Sequence, residues 1–169
     1  MAPRGYTAIE IIIVIGIMGI VMVTAFPSII NSMETRNLDN CARNIQTVME
    51  QAKNRAVSDK LLYRVRFVQS GSTWNILLEY QSASTAWSAY SGFHTQMISS
   101  AFVTTVNLPT SASGGQEMQV SPVGLVQGYD STKNSVTVQS TKLLTRHQPD
   151  LRILRVYAGG SIQYIKTSS

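Results

Sequence analysis

Cysteine is nearly missing from this chain: Cys41 is the one thiol among 169 residues. A single cysteine closes no intrachain disulfide, so the folded part must hold by packing. Cys41 falls at an apolar position of a helical pattern and reads as a small core thiol. Histidine is scarce as well. His94 and His147 stand alone, with no ligand partner at metal spacing, so no metal site is signalled. No Ser-His-Asp or Cys-His arrangement, paired carboxylates or phosphate-binding glycine loop stands out, and Gly114-Gly115 and Gly159-Gly160 read as turns. These absences argue against an enzyme and imply no cofactor. Charged residues make up only 14% of the chain against 44% apolar. That balance supports a core and excludes the highly charged, disordered class.

The most informative absence is local. From Ile11 to Phe26 there is no charge at all, and a single carboxylate, Glu10, precedes the run. An ionised carboxylate loses its hydration in hydrocarbon, so an acid kept at such a place points to use. Residues 6–30 as a helix would be about 37 Å long, enough to cross a bilayer. Gly16 and Gly19 would let neighbouring helices approach. Pro27, where the run fades, removes a helical hydrogen bond and predicts a kink. The net charge of +5 is a mild excess that permits an anionic partner without requiring one.

Beyond Pro27 the pattern becomes amphipathic. Ile30, Met33, Cys41, Ile45, Val48, Met49, Ala52 and Ala56 recur at mostly helical spacing, and charged residues fill most other positions. No glycine and no second proline occur between Pro27 and Ser58. One long helix over about 6–58 follows, with an apolar first half and a one-faced second half. After Asp59 the period becomes two. Leu61, Tyr63, Val65 and Phe67 share one face of a strand, with Arg64 and Arg66 on the other, which reads as solvated. Ser70-Gly71-Ser72 turns this strand into another over 73–80. A short strand around Trp87, a β-rich stretch over 98–108 and a loop over 109–115 come next. Strands over 117–121, 135–140, 151–157 and 161–166 complete the chain. The order, one long helix and then only strands, predicts an α+β fold. Its antiparallel β-sheet packs on the second half of the helix.

Two readings of the N-terminus compete. One is a secretory signal peptide cut after Val23-Thr24-Ala25. Glu10 and the helix that continues across that cut stand against it. The other rests on Gly5-Tyr6-Thr7-Ala8-Ile9-Glu10 followed by the apolar run. This segment resembles the processing signal of the type IV pilins and pseudopilins, with Tyr6 where Phe is usual and Ala8 where Leu is usual. The resemblance implies cleavage by prepilin peptidase between Gly5 and Tyr6, N-methylation of Tyr6, and retention of Glu10. It also implies a helix-kinking role for Pro27. On this reading residues 1–5 are a leader, 6–30 the transmembrane helix half, 31–58 the amphipathic half and 59–169 a periplasmic β-rich domain. The protein would be a single-pass protein of the inner membrane with its leader in the cytoplasm. Cleavage would leave an ammonium at Tyr6. Glu10 could then pair with the N-terminal ammonium of a neighbouring subunit, fixing axial register more than adding raw stability. The bland alternative is a glutamate that snorkels to the membrane surface.

The remainder resembles, less specifically, the GspH/FimT group of minor pilins and pseudopilins. The segments that carry this are Gln51-Ala52-Lys53-Asn54-Arg55-Ala56-Val57, Val120-Ser121-Pro122-Val123-Gly124, and Arg152 to Tyr157 with Gly159-Gly160. The implied role is a subunit that is incorporated into, or primes, a type II secretion pseudopilus or a type IV pilus, with other pilin-like subunits as partners. Some FimT-like members bind DNA through a Gly-Arg-x-Arg stretch. The corresponding Gly160-Ser161-Ile162-Gln163 lacks both arginines. Arg146, Arg152, Arg155 and Lys166 could still form a basic patch, and Arg64 with Arg66 another. DNA binding is therefore the lesser alternative, and a plain membrane-anchored binding domain a further one.

Overall fold

The computed structural model describes residues 7–82 and 86–169, apart from the side chains of residues 23–27. Helix α1 runs from Ala8 to Asp59 as one element of 52 residues. Its start is capped: the Thr7 side chain accepts a hydrogen bond from the Glu10 amide at 3.4 Å. Thr7 and Glu10 thus stand at the spacing of a capping box, and Glu10 lies in the first turn, where the helix dipole favours an anion. Lys60, with φ 57°, turns the chain out of the helix in the left-handed conformation. The first half of the helix projects from the fold. Every side chain from Ile11 to Met22 is exposed. Among the described residues, no helix is long and apolar enough to cross a membrane. Gly5 and Tyr6 lie outside the described residues, and so does the side chain of Pro27.

Among the described residues ten strands follow: β1 (Leu62–Ser70), β2 (Thr73–Gln81), β3 (Trp87–Ala89), β4 (Gln96–Ile98), β5 (Val103–Asn107), β6 (Gln116–Val120), β7 (Val126–Gln127), β8 (Ser135–Gln139), β9 (Leu151–Val156) and β10 (Ile162–Thr167). The expected single sheet is two. One has the order β3-β2-β1-β6-β7, with β4 also paired to β2, and the other the order β10-β9-β8-β5. Every pairing is antiparallel. The chain leaves the first sheet after β4, builds β5 in the second, and returns for β6 and β7. Hydrophobic alternation says which residues of a strand share a face but not which sheet a strand joins, so the split was invisible in the pattern. The expectation of strands alone after the helix fails at one point. A short helix, α2 (Thr141–Leu144), is capped by Ser140 and buries Leu143.

Both sheets close on α1. Tyr63, Val65, Phe67, Leu78, Met118 and Val120 of the first sheet are buried, as are Val136, Val138, Leu154 and Val156 of the second. The helix meets them with Leu38, Ala42, Ile45, Val48, Met49, Ala52 and Ala56. The three alanines let the sheets come close to the helix backbone. Leu38 opens this buried face. Met33, expected on it, is exposed, and Cys41 is only half-buried at its edge. The Trp74 indole donates to the Thr104 carbonyl at 3.1 Å and ties the two sheets together.

Candidate assembly site

Glu10 sits at the tip of the projecting helix half and is exposed. Around it Ile9, Ile11, Ile12, Ile13, Val14 and Ile15 are exposed too. Consecutive apolar positions cover all sides of a helix, so this half has no face of its own to turn inward. Its surface is covered by nothing in the fold, and Glu10 is the single ionisable side chain on it among the described residues. The Thr-x-x-Glu spacing, readable in the sequence, gives Glu10 a local place in the helix start besides any intermolecular one. The helix first meets its own domain one turn beyond the apolar run. The Arg146 guanidinium donates to the Asn31 side chain, and the Ser140 hydroxyl to Glu34 at 2.9 Å.

The remaining sequence candidates part company. Arg64 does not lie on a solvated face. It is 2% exposed. Its guanidinium reaches Glu79 at 2.6 Å and Glu117 at 2.9 Å. It also donates to the hydroxyls of Ser111 and Ser113 and lies 4.1 Å from the centre of the Trp87 ring. Arg66 pairs with the same Glu79 at 2.7 Å. The reason is topological: the loop over 109–115 folds over the outer face of the first sheet, which the strand pattern alone left open, and Trp87 of the edge strand β3 lays its ring on Arg64. Two arginines and two glutamates there make a neutral, buried cluster rather than a basic patch.

The second expected patch is dispersed as well. Arg152 is fully buried, with its Nε on Asp39, and Tyr164 donates to the same carboxylate oxygen at 2.8 Å. Arg155 points to the opposite face of β9, opposite Gln163 of β10. Lys166 is exposed but lies directly opposite Arg152 across the β9–β10 pair, where its charge falls on Asp39, and Arg146 is engaged by Asn31 of α1. Four cations close in sequence therefore do not converge on one surface.

These clusters are sensitive to acid. Burial pulls the carboxyls of Asp39 and Glu79 upward, but hydrogen bonds and charge from arginines outweigh it. Arg152, with the Tyr164 hydroxyl, holds Asp39 below its ordinary 3.8, and Arg66 with Arg64 holds Glu79 below its ordinary 4.5. A carboxyl lowered in the fold binds fewer protons there than in the unfolded chain. Its contribution is therefore complete above the ordinary value and is lost as pH falls through the folded one. The urea midpoint of the domain should be level above about pH 5 and fall on acidification below about pH 4.5. A midpoint unchanged down to about pH 3 would contradict this account of the two clusters.

No protein-family model matches the sequence, and no curated protein sequence matches it. Solved structures do. The minor pseudopilin EpsH from the type II secretion system of Vibrio cholerae superposes with a TM-score of 0.58 at 10% identity, over 77% of this chain and 97% of that one. The chain has the type IV pilin-like fold. The minor pilin FimU of Pseudomonas aeruginosa agrees, with a TM-score of 0.51 at 14% identity over 78% of this chain and 90% of that one. At such identities the shared property is the pilin-like arrangement itself: a long N-terminal helix whose second half packs on antiparallel sheets.

Proposed function

We propose that this chain is a minor pilin or pseudopilin subunit. It is cut by prepilin peptidase between Gly5 and Tyr6, methylated at Tyr6 and held in the inner membrane by its apolar helix half. From there it is incorporated into, or primes, a type II secretion pseudopilus or type IV pilus. The observation that carries this is the exposed helix front: an apolar surface that the domain leaves uncovered, bearing one carboxylate at its tip. Such a surface must be covered by lipid before assembly and by other helices after it. Glu10, paired with the Tyr6 ammonium of a neighbour, sets the axial register, and Pro27 adjusts the course of the helix.

The pilin-like fold supports this reading, since proteins so named share it. The similar solved structures are a minor pseudopilin and a minor pilin, which fits a structural role. Among the described residues no cluster of three or more metal-ligating side chains occurs. The DNA-binding alternative loses its footing because Arg152 and Arg64 are buried and neutralised. Mass spectrometry of the mature N-terminal peptide tests the proposal. N-methyl-Tyr6 is expected. A chain that begins at Phe26, or one that keeps residues 1–5 when made together with prepilin peptidase, would overturn it.

A further inference from the structure

The base of the domain, where it meets the apolar helix half, has a surface of its own. No charged residue stands between Glu10 and Glu34. Along one continuous helix, Glu10 and Asn31 lie about 31 Å apart, close to the ~30 Å of a bilayer's hydrocarbon. The domain reaches the helix at that height. The segment of α2 and the turn behind it, between β8 and β9, makes the contact. Arg146 donates to the Asn31 side chain, the Ser140 hydroxyl donates to Glu34, and the Lys142 ammonium lies 3.8 Å from Glu34. The segment is held in shape from within. Leu143 is buried, the Gln148 amide donates to the Leu143 carbonyl at 3.0 Å, and His147 closes the turn at φ 54°. What it turns outward is cationic and apolar. Lys142, Leu144, Arg146 and His147 are exposed, as is Arg36 of α1, and Leu144 keeps 42% of its surface open. Of the nearby acids, Glu34 is shared by Ser140 and Lys142, and Asp150 is buried and held by Gln139 and Ser169. Asn31 is neutral, so its hydrogen bond leaves the charge of Arg146 in place.

We propose that residues 141–147 form a foot that sets the domain on the anionic phospholipid headgroups of the membrane holding the chain. The inference rests on the subunit reading above, in which residues 6–30 cross that membrane. Height is the first argument. Attraction to a charged bilayer surface fades within a Debye length of about 10 Å, so cations must stand near the exit of the span to use it. Arg146 and Lys142, fixed to Asn31 and Glu34, and Arg36 itself lie within about 8 Å of that exit along the helix. The opposite end of the domain, where the Val123–Gly124 loop lies against Val57, is about 39 Å further along the helix and out of reach. Chemistry is the second argument. Lys and Arg lay their carbon stems in an interfacial layer and bring their charges to phosphate. An exposed leucine between two cations, as Leu144 is, enters the same layer and offers nothing to the backbone of a nucleic acid. The foot would orient the domain before assembly and give way when the subunit is drawn into a filament.

The full-length chain in vesicles of phosphatidylethanolamine and phosphatidylglycerol provides the test. A photo-crosslinking residue in place of Leu144 should give lipid adducts by mass spectrometry, with phosphatidylglycerol enriched at least about fivefold over its share of the vesicle. One in place of Val123, exposed at the opposite end, should give none. The variant Lys142→Gln/Arg146→Gln keeps hydrogen-bonding side chains toward Glu34 and Asn31 but removes two charges. It should keep the parent's melting temperature and lose the enrichment. A crosslinker in place of Ile15, within the apolar half, reports on the span itself and should label acyl chains. If Ile15 labels lipid while Leu144 labels none, or labels only a second copy of the chain, the foot is overturned and the membrane-held subunit stands. Phosphatidylglycerol captured at Leu144 only in proportion to its share, or equally by the double variant, would also overturn the foot. No lipid adduct from Ile15 would overturn both.

Discussion

Replacing Arg64 with methionine should lower the unfolding free energy of the domain by about 3–5 kcal/mol. Arg64 and Glu79 are almost completely shielded from water, and the Arg64 guanidinium also serves Glu117, Ser111 and Ser113. Methionine fills much of the same volume but supplies no cation and no donor. Glu79 keeps only Arg66, and Glu117 is left with no cation within ion-pair distance among the described residues. The loss reflects stranded carboxylates, not the net worth of the intact cluster, since burying charges costs nearly as much as pairing them returns. It would consume a large part of the roughly 5–15 kcal/mol that holds a typical domain folded. The pH dependence gives a second readout with a definite sign. In the parent Glu79 is held low, so stability falls as the solution is acidified. In the variant Glu79 still holds Arg66 but loses its second cation, so its carboxyl rises toward the ordinary value and less stability is lost on acidification. Adding Glu79→Gln and Glu117→Gln should recover part of the loss at neutral pH. Urea midpoints measured across pH check both. A loss below about 1 kcal/mol would show that the cluster is hydrated and mobile rather than dry.

On the subunit reading proposed above, Glu10→Ala should reduce incorporation into the filament by about a hundredfold or more while leaving membrane insertion and the fold of the domain intact. Breaking one side of a buried ion pair costs about 3–5 kcal/mol, and each ~1.4 kcal/mol is tenfold in an equilibrium. The local role of Glu10 in the first turn is worth far less, about 0.3–1 kcal/mol. The two roles therefore separate by size. Glu10→Gln keeps the shape but not the charge and should fail nearly as badly if the partner is an ammonium. Quantifying the subunit in sheared filaments against the membrane fraction provides the measurement. Wild-type incorporation of the alanine variant would remove Glu10 from the mechanism.

Much of the fold was legible because period survives in sequence. The switch from a helical spacing to alternation near Asp59 marked the end of α1 to within a residue. The hairpin of β1 and β2 was fixed by Gly71, which sits at φ +62° in its turn. What failed to show was local in a different sense. Strand β7 spans only Val126–Gln127 and α2 only four residues, too short to carry a period. The place of Glu10 in a capped first turn was available in Thr7-Ala8-Ile9-Glu10. The apolar run beside it drew attention to hydropathy instead.

The sequence by itself determined the division of labour along the chain: an uncharged helix front with one acid at its start, a one-faced helix behind it, and a set of antiparallel strands to cover that face. These follow from near-neighbour spacing and from the cost of charge in apolar surroundings. Only the tertiary structure decided what the arginines do. Arg64 and Arg152 look like surface cations in a strand pattern, but Arg64 joins its cross-strand partner Glu79 to the distant Glu117, Arg152 finds the distant Asp39, and both become buried tie-points. Alternation places a side chain on a face. It cannot say whether a loop from elsewhere in the chain will later cover that face, because that depends on contacts between residues far apart in sequence.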